Sequence, residues 1–255
     1  MNKTLFYLAG DTAALQYAAK ILSQRGISIS PTPCAQITHL LLPVPSFDKN
    51  DVIKGGGSID RILPRLPESI TIIGGNLDSI QSGEQTVIDL LKDPYYLSEN
   101  AAITADCAIR IAGSNLPVVF RGCPMLVIGW GRIGKCLAAQ LKNMGADVSV
   151  FARKEEDRAT LNSLGYNAIA PENLAFALPM FRVIFNTATA AVLGDQDWLR
   201  STDDCIKIEL ASDKYIPGKD VIWARGLPNR DAPESSGALI ARSVIRLAGQ
   251  KEDFL

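Results

Sequence analysis

The sequence predicts a two-domain α/β protein, and three features of the chain support this prediction. Short apolar segments alternate with amphipathic ones along most of its length, which is typical of parallel strands joined by helices. In the second half, a glycine motif at 129–134 stands between one such strand and one such helix. A long apolar segment at 98–112 separates the halves, and 255 residues are enough for two modest domains.

The first domain is expected to span residues 1–97. Its strands are apolar runs that end near glycine or proline, and its first helix is closed by Gly26. The segment 46–67 contains three consecutive glycines and is predicted to be an irregular loop. We expect strands at 5–8, 27–29, 40–42 and 70–73, and helices at 13–24 and 86–92.

A linking segment at 98–117 contains a predicted helix from Ser98 to Ala112. Ser98 is expected to cap this helix, and Glu99 favours its positive end. Apolar residues occupy more than one face, which indicates that the helix is buried. The second domain then covers 118–235. We expect its strands at 125–128, 148–151, 183–185, 206–210 and 221–223, and its helices at 131–144 and 155–164, before a last helix of the chain at 233–248.

Charge and cysteine content exclude several classes of function. A net charge of -1 leaves no basic surplus for binding nucleic acid. The five cysteines are scattered, which argues against a disulfide framework and against a zinc site. No apolar run approaches the ~20 residues of a membrane helix, and the start of the chain is interpreted as a strand. We therefore expect a cytoplasmic protein with neither a nucleic-acid nor a membrane partner.

The glycine motif predicts a dinucleotide site. The pattern G-x-G-x-x-G is matched by Gly129, Trp130, Gly131, Arg132, Ile133 and Gly134. The first glycine permits a tight turn, the second lets the backbone approach a pyrophosphate, and the third lets helix and strand pack closely. The helix N-terminus offers free N–H groups to the phosphates. The indole in this loop is expected to pack over the cofactor or the facing domain; the alternative for the motif is a glycine-rich turn without a ligand.

The end of the next strand favours NADP over NAD, although NAD stays possible. Arg153 and Lys154 follow that strand, and no carboxylate precedes Glu155. A carboxylate would hold a ribose 2′-hydroxyl, whereas an arginine grips a 2′-phosphate. The alternative is that the two cations form a solvated basic loop.

Further candidates follow the later strands of the second domain. Asn186, Thr187 and Ala188 come after its fourth strand, where loops pass the nicotinamide half of a dinucleotide; a turn-capping pair is the alternative. Ser212 comes after the fifth strand, at the edge where ligands bind in open α/β sheets. His39, the only histidine, precedes an apolar strand and is interpreted as structural.

The order of several motifs resembles that of the A subunit of dipicolinate synthase. These are the glycine motif and the segments 186–188, 209–212 and 226–228. More distantly, the layout is similar to D-2-hydroxyacid dehydrogenases. The resemblance implies a flavodoxin-like N-terminal domain, a Rossmann domain, and a last helix at 236–255 that returns to the first domain. It also implies a cleft between the domains that holds cofactor and substrate.

The resemblance further implies an NADP-dependent oxidation of a dihydrodipicolinate-type cyclic diacid, in dipicolinate biosynthesis during sporulation. It implies a partner in the form of a small second subunit, and we also expect a homo-oligomer. A histidine acid/base is missing from the second domain, so the reaction of D-2-hydroxyacid dehydrogenases is not expected.

One departure from the resembled pattern concerns the substrate. Asp213 stands where the pattern has a basic residue after Ser212. Lys214 or Arg225 would then supply the cation for a substrate carboxylate, and these two residues with Ser212 are the catalytic candidates. The alternative is an NAD(P)-binding regulatory or redox-sensing module without this reaction.

Overall fold

A computed structural model describes residues 4–80 and 83–248, which fold as two compact α/β units. The first unit contains the described residues of Met1–Asn100 and Pro228–Leu255, and the second contains Ala101–Leu227. Of the range 236–255 expected to return to the first domain, residues 249–255 lie outside the described residues. Within the described ranges, no helix has both the length and the apolar character needed to cross a membrane.

The strands and helices follow the predicted alternation. The strands are β1 Leu5–Leu8, β2 Ser28–Ser30, β3 His39–Leu41, β4 Thr71–Gly74, β5 Thr86–Asp89, β6 Pro124–Ile128, β7 Asp147–Phe151, β8 Asn167–Ile169, β9 Val183–Asn186, β10 Ile206–Glu209 and β11 Val221–Trp223. The helices are α1 Ala13–Gln24, α2 Ile59–Ile62, α3 Pro94–Asn115, α4 Arg132–Asn143, α5 Glu155–Ser163, α6 Pro171–Ala177, α7 Asp195–Trp198, α8 Leu227–Asp231 and α9 Pro233–Leu247.

The first unit is built on a parallel sheet with the strand order β2-β1-β3-β4-β5. This is the flavodoxin-like order, as expected. Within the unit, α9 packs closely against α1. A Cβ on Gly237 would lie 2.5 Å from the carbonyl oxygen of Ala14 and 2.5 Å from the Cβ of Tyr17, so only glycine fits at this crossing.

Two predictions for the first half of the chain were wrong, and a third was incomplete, because the segment 46–67 contains α2 and a 3-10 turn at Leu63–Arg65. Residues 86–92 were expected to be helical, but Thr86–Asp89 pairs with β4 and a 3-10 turn follows at Leu90–Lys92. The β-branched residues of this segment suit a strand better than a helix. Ser98 was expected to cap the linking helix. The helix begins at Pro94 instead, because the Asp93 carboxylate accepts from the Tyr96 N–H and proline suits the first turn.

The second unit has a parallel sheet with the strand order β11-β10-β9-β6-β7-β8. Counted within the unit, this is the Rossmann order, so the predicted fold class is confirmed. Its core includes the apolar faces of β6, β7 and β9 with Leu174 and Trp198 from α6 and α7. The strand order reverses between β6 and β9, and open sheets of this kind bind ligands outside the carboxyl ends at such a point.

Candidate dinucleotide site

The predicted site residues of the second unit follow strands that end at one edge of the sheet. Ile128 at the end of β6 pairs with Phe151 on one side and Asn186 on the other. Glu209 at the end of β10 pairs with Asn186 and with Trp223. Since all these strands are parallel, the structure brings the ends of β6, β7, β9, β10 and β11 together at the carboxyl edge.

Two glycines of the motif are required by the backbone itself. Gly129 has a φ of 107°, and a Cβ there would lie 2.6 Å from the Thr187 hydroxyl. A Cβ on Gly134 would lie 2.1 Å from the carbonyl oxygen of Gly129. The Thr187 hydroxyl in turn donates to the carbonyl oxygen of Ile128 at 2.9 Å. The first turn of α4 therefore sits directly on the loop, and Thr187 fastens the neighbouring strand end to it.

The middle glycine is different, because nothing in the protein requires it. Gly131 is the N-cap residue of α4 and has a φ of -79°, which any residue adopts. A Cβ at this position would meet no atom within 4 Å. Open space therefore lies beside the N-terminus of α4, where N–H groups lack helical partners and attract anions. This cradle fits the pyrophosphate of a dinucleotide, and Arg132 is exposed next to it.

The indole of Trp130 packs inside the second unit. Its ring lies edge-on to Tyr166 with centroids 5.8 Å apart, and the ammonium of Lys135 lies 5.7 Å from the Trp130 centroid. Lys142 covers Tyr166 at 4.4 Å and donates to the carbonyl oxygens of Leu164 and Gly165. The Trp130 side chain is thus anchored by residues of α4 and of the segment that precedes β8. Ile133, in the first turn of α4, is half-buried.

The turn after β7 carries the residues predicted to select the cofactor. Arg153 and Lys154 are both exposed, and the Lys154 ammonium lies 3.2 Å from Glu156. Among the described residues, Arg153 forms no ion pair. The Arg158 guanidinium donates to the carbonyl oxygens of Ala152 and Arg153 at 3.0 and 2.7 Å. Arg158 therefore fixes the backbone of this turn and leaves Arg153 as its uncommitted cation.

On the other side of β6, a buried carboxylate holds the ends of β9 and β10. Glu209 is 0% exposed and accepts from the Asn186 side-chain amide at both oxygens, at 2.8 and 3.0 Å. It also accepts from the backbone N–H groups of Ala211, Tyr215 and Ile216 at 3.1, 2.9 and 3.0 Å. One side chain thus organises two loops at the carboxyl edge.

Asn186 has its polar atoms occupied within the protein. Besides donating to Glu209, it accepts from the N–H of Ala188 at 3.2 Å. This is the turn-capping arrangement, one of the two alternatives for this residue. Thr187 and Ala188 are half-exposed at the same edge, so their backbone lies where a ligand has access.

Ser212, Lys214 and Arg225 lie at this edge and are all exposed. The Lys214 ammonium donates to the carbonyl oxygen of Gly218 at 2.6 Å. The Arg225 guanidinium lies 5.8 Å from the ring of Trp223. Exposed contacts of these kinds are weak enough for an anionic ligand to displace them.

A tyrosine connects the two loops near these candidates. The Tyr215 hydroxyl donates to the carbonyl oxygen of Thr189 at 2.9 Å, and Asp213 lies 3.5 Å away. Burial and then the Asp213 carboxylate raise the pKa of the Tyr215 phenol, so it stays protonated and keeps donating at neutral pH.

Sequence reasoning missed Arg158, Glu209 and Tyr215 as organising residues. Glu209 left only a weak signal, since it is a carboxylate in the strand segment 206–210, where Lys207 also alternates with the apolar residues. A charged residue there is rarely buried unless it is hydrogen-bonded. Arg158 and Tyr215 left none, because an arginine within a helix and a tyrosine in the loop after a strand are both ordinary.

The solved structures that resemble this chain share its fold over almost its whole length. The A subunit of dipicolinate synthase from Bacillus halodurans matches with a TM-score of 0.83 at 19% identity, covering 98% of this chain and 99% of that chain. The A chain of dipicolinate synthase from Bacillus subtilis matches at 0.79 and 19% identity, over 98% and 96%. D-lactate dehydrogenase from Escherichia coli matches at 0.59 and 12% identity, over 96% of each chain.

Models of known protein families give no match to the chain, and no curated protein matches it in sequence. The solved structures nevertheless confirm the resemblance predicted from the motifs as a shared fold. By TM-score, the fold of this chain is more similar to the two dipicolinate synthase structures than to the lactate dehydrogenase.

Proposed function

We propose that this chain is an NADP-dependent oxidoreductase that oxidises a dihydrodipicolinate-type cyclic diacid. The observation that carries the proposal is the open cradle at Gly131, which the fold does not require and a pyrophosphate would fill. The fold shared with the two dipicolinate synthase structures supports the same reaction class.

The chain's own residues would bind and orient the dinucleotide. The N–H groups at the start of α4 would bind the pyrophosphate, and the backbone of Thr187 and Ala188 would border the nicotinamide half. When bound, the nicotinamide supplies the acceptor for the hydride. The protein contributes orientation, because a hydride moves only between carbons held near contact and away from water.

The proposed preference for NADP rests on Arg153. It is exposed and follows β7, where a 2′-phosphate would lie. Lys154 contributes little, because Glu156 already pairs with it. Three acidic residues also occupy the first turn of α5, so the discrimination depends on the single guanidinium.

For the diacid, Lys214 and Arg225 are the proposed carboxylate ligands, with Ser212 as a further donor. Oxidation of a dihydro ring removes a hydride and a proton and leaves an aromatic product. Loss of that proton to water is favourable, so no protein base is needed. This agrees with a chain whose only histidine, His39, lies in the first unit. A homo-oligomer, a cytoplasmic location and a second synthase subunit stay predictions.

The test is NADP reduction with a dihydrodipicolinate-type diacid, with and without a candidate second subunit. The variant Lys214→Ala/Arg225→Ala should raise KM for the diacid by about 100-fold, because each charge-assisted contact contributes about one factor of ten. Its affinity for NADP should be unchanged. The proposal fails if no diacid accelerates NADP reduction in the wild type, or if the double variant has the wild-type KM.

A second candidate function is an NAD(P)-binding regulatory or redox-sensing module. The exposed Asp213 favours it, since this carboxylate stands beside the proposed anion ligands and repels a diacid. Such a module would bind NADPH at the Gly131 cradle without turning over any diacid, with or without a second subunit.

A further inference from the structure

Glu209 is a buried carboxylate that is stabilised by hydrogen bonds from N–H groups. Among the described residues, no lysine or arginine forms an ion pair with it. Its oxygens accept five hydrogen bonds, from the Asn186 amide and from the N–H groups of Ala211, Tyr215 and Ile216. Charge-assisted bonds of this kind are stronger than neutral ones, and four donor groups compensate for the loss of water.

These bonds join two loops that are otherwise separate in the chain. Asn186 is the last residue of β9, and its side-chain carbonyl oxygen accepts from the N–H of Ala188 in the loop that follows. Ala211, Tyr215 and Ile216 belong to the loop after β10. The Tyr215 hydroxyl reaches back to Thr189 and makes a second connection between the same loops. Glu209 thus fixes the backbone that faces the carboxyl edge on the β9 side of the sheet.

This side is where the nicotinamide half of a dinucleotide would lie. A pyrophosphate at the Gly131 cradle would lie near the reversal of strand order between β6 and β9, with the adenosine half toward β7. The nicotinamide half would then extend toward β9 and β10, beside the loops that Glu209 holds.

We propose that Glu209 is a positioning residue for the nicotinamide half of the cofactor, acting through Asn186 and the backbone of these two loops. The inference rests on the proposed function. Glu209 itself touches no ligand, since its atoms are fully buried. Its effect should therefore fall on the orientation of the nicotinamide and spare the phosphate and adenosine contacts.

The experiment compares two ligands that differ only by the nicotinamide, NADPH and 2′-phospho-ADP-ribose. Their dissociation constants are measured by calorimetry for the wild type, Glu209→Gln, Asn186→Asp and the double variant. Glu209→Gln places an NH₂ group against N–H donors, and Asn186→Asp places two carboxylates in contact. The double variant restores one donor facing one acceptor between the two side chains. Glu172→Gln is the matched control, because it makes the same change at an exposed carboxylate on α6.

Glu209→Gln should weaken NADPH binding by about 10-fold and leave 2′-phospho-ADP-ribose binding within about 2-fold, since one charge-assisted interaction corresponds to about a factor of ten. Asn186→Asp should do the same, the double variant should recover part of the loss, and Glu172→Gln should match the wild type. Equal weakening of both ligands, or of neither, would overturn the proposal, because a purely structural role does not discriminate between them.

Amide hydrogen exchange separates this inference from the proposed function. In Glu209→Gln, the segments 187–190 and 211–216 should exchange faster while α4 is unchanged. If the wild type binds neither ligand, the proposed function has failed, and the exchange rates still decide whether Glu209 holds the loops. If the wild type binds both ligands, but the two segments exchange at the same rate in Glu209→Gln as in the wild type, the positioning role is wrong. The proposed dinucleotide site would then still stand.

Discussion

The two sides of the carboxyl edge of the second sheet are built in opposite ways. At the end of β6, backbone N–H groups line the cradle, and those at the start of α4 lie beside open space. At the end of β10, the backbone N–H groups of Ala211, Tyr215 and Ile216 already donate hydrogen bonds to the buried Glu209. The first side can therefore bind an anion through its backbone. On the second side a carboxylate ligand must be bound by side chains, which is why Lys214 and Arg225 matter to the proposal.

The largest effect is expected from a side chain that fills the open space beside Gly131, on the β6 side of the carboxyl edge (the open side). Gly131→Val should weaken NADPH binding by at least about 100-fold, because its side chain would occupy the pyrophosphate position. The melting temperature should stay near that of the wild type, since Gly131 has an ordinary backbone conformation and its Cβ would meet nothing within 4 Å. Calorimetric titration and thermal melting measure the two quantities. A folded variant that still binds NADPH tightly would show that the ligand does not use this loop.

Gly134→Ala should have the opposite effect to Gly131→Val, because it should lower the stability of the fold more than the affinity for NADPH. Its Cβ would lie 2.1 Å from the carbonyl oxygen of Gly129, so α4 or the loop must shift. We expect a loss of about 3 kcal/mol in the free energy of unfolding, the upper part of the range for overpacking. Denaturant unfolding measures it, and Gly131→Ala is the matched control with the same added methyl group in open space. Equal stability of the two variants would refute the packing role of Gly134.

This contrast also explains what could be predicted from the sequence. The roles of Gly129, Gly131 and Gly134 follow from spacing, because a strand, a turn and a helix in immediate succession leave few backbone arrangements. The Rossmann fold of the second unit could be expected from the same motif and from the resemblance, whereas its strand order comes from the structure. The Glu209 network could not be predicted, since its partners lie 2 to 23 residues away in sequence and meet only when β9 and β10 pair.

The errors in the first half have a local cause. Residues 86–92 satisfy a helical spacing of apolar residues, but pairing with β4 offers them the edge of a sheet. Tertiary pairing of this kind overrides weak local preferences. The start of α3 was misplaced because Ser98 is a good capping residue, whereas Asp93 followed by Pro94 is a better helix start.

A smaller effect is expected at the turn after β7. Arg153→Asp should lower the affinity for NADP and raise that for NAD, changing their ratio by about 10- to 100-fold, because one charge-assisted contact is replaced by repulsion. Titration of both dinucleotides measures the ratio. Lys154→Asp serves as the comparison, since Lys154 already pairs with Glu156 and its loss should change the ratio less. An unchanged ratio in Arg153→Asp would remove the argument for NADP.

The smallest effect is expected at Trp130, which anchors the open side without shaping the cradle. Trp130→Leu removes the edge-on contact with Tyr166 and the contact with Lys135. Both contacts are partly exposed, so the free energy of unfolding should fall by only about 1 kcal/mol. Trp130→Phe keeps an aromatic ring and should lose less than half of this. NADPH affinity should change by less than about 3-fold in either variant, because the indole faces α4 and β8 and the cradle is formed by backbone. Denaturant unfolding and NADPH titration test both expectations. A large loss of affinity in a stable Trp130→Leu would mean that the indole contacts the ligand, and the open side would then depend on a side chain after all.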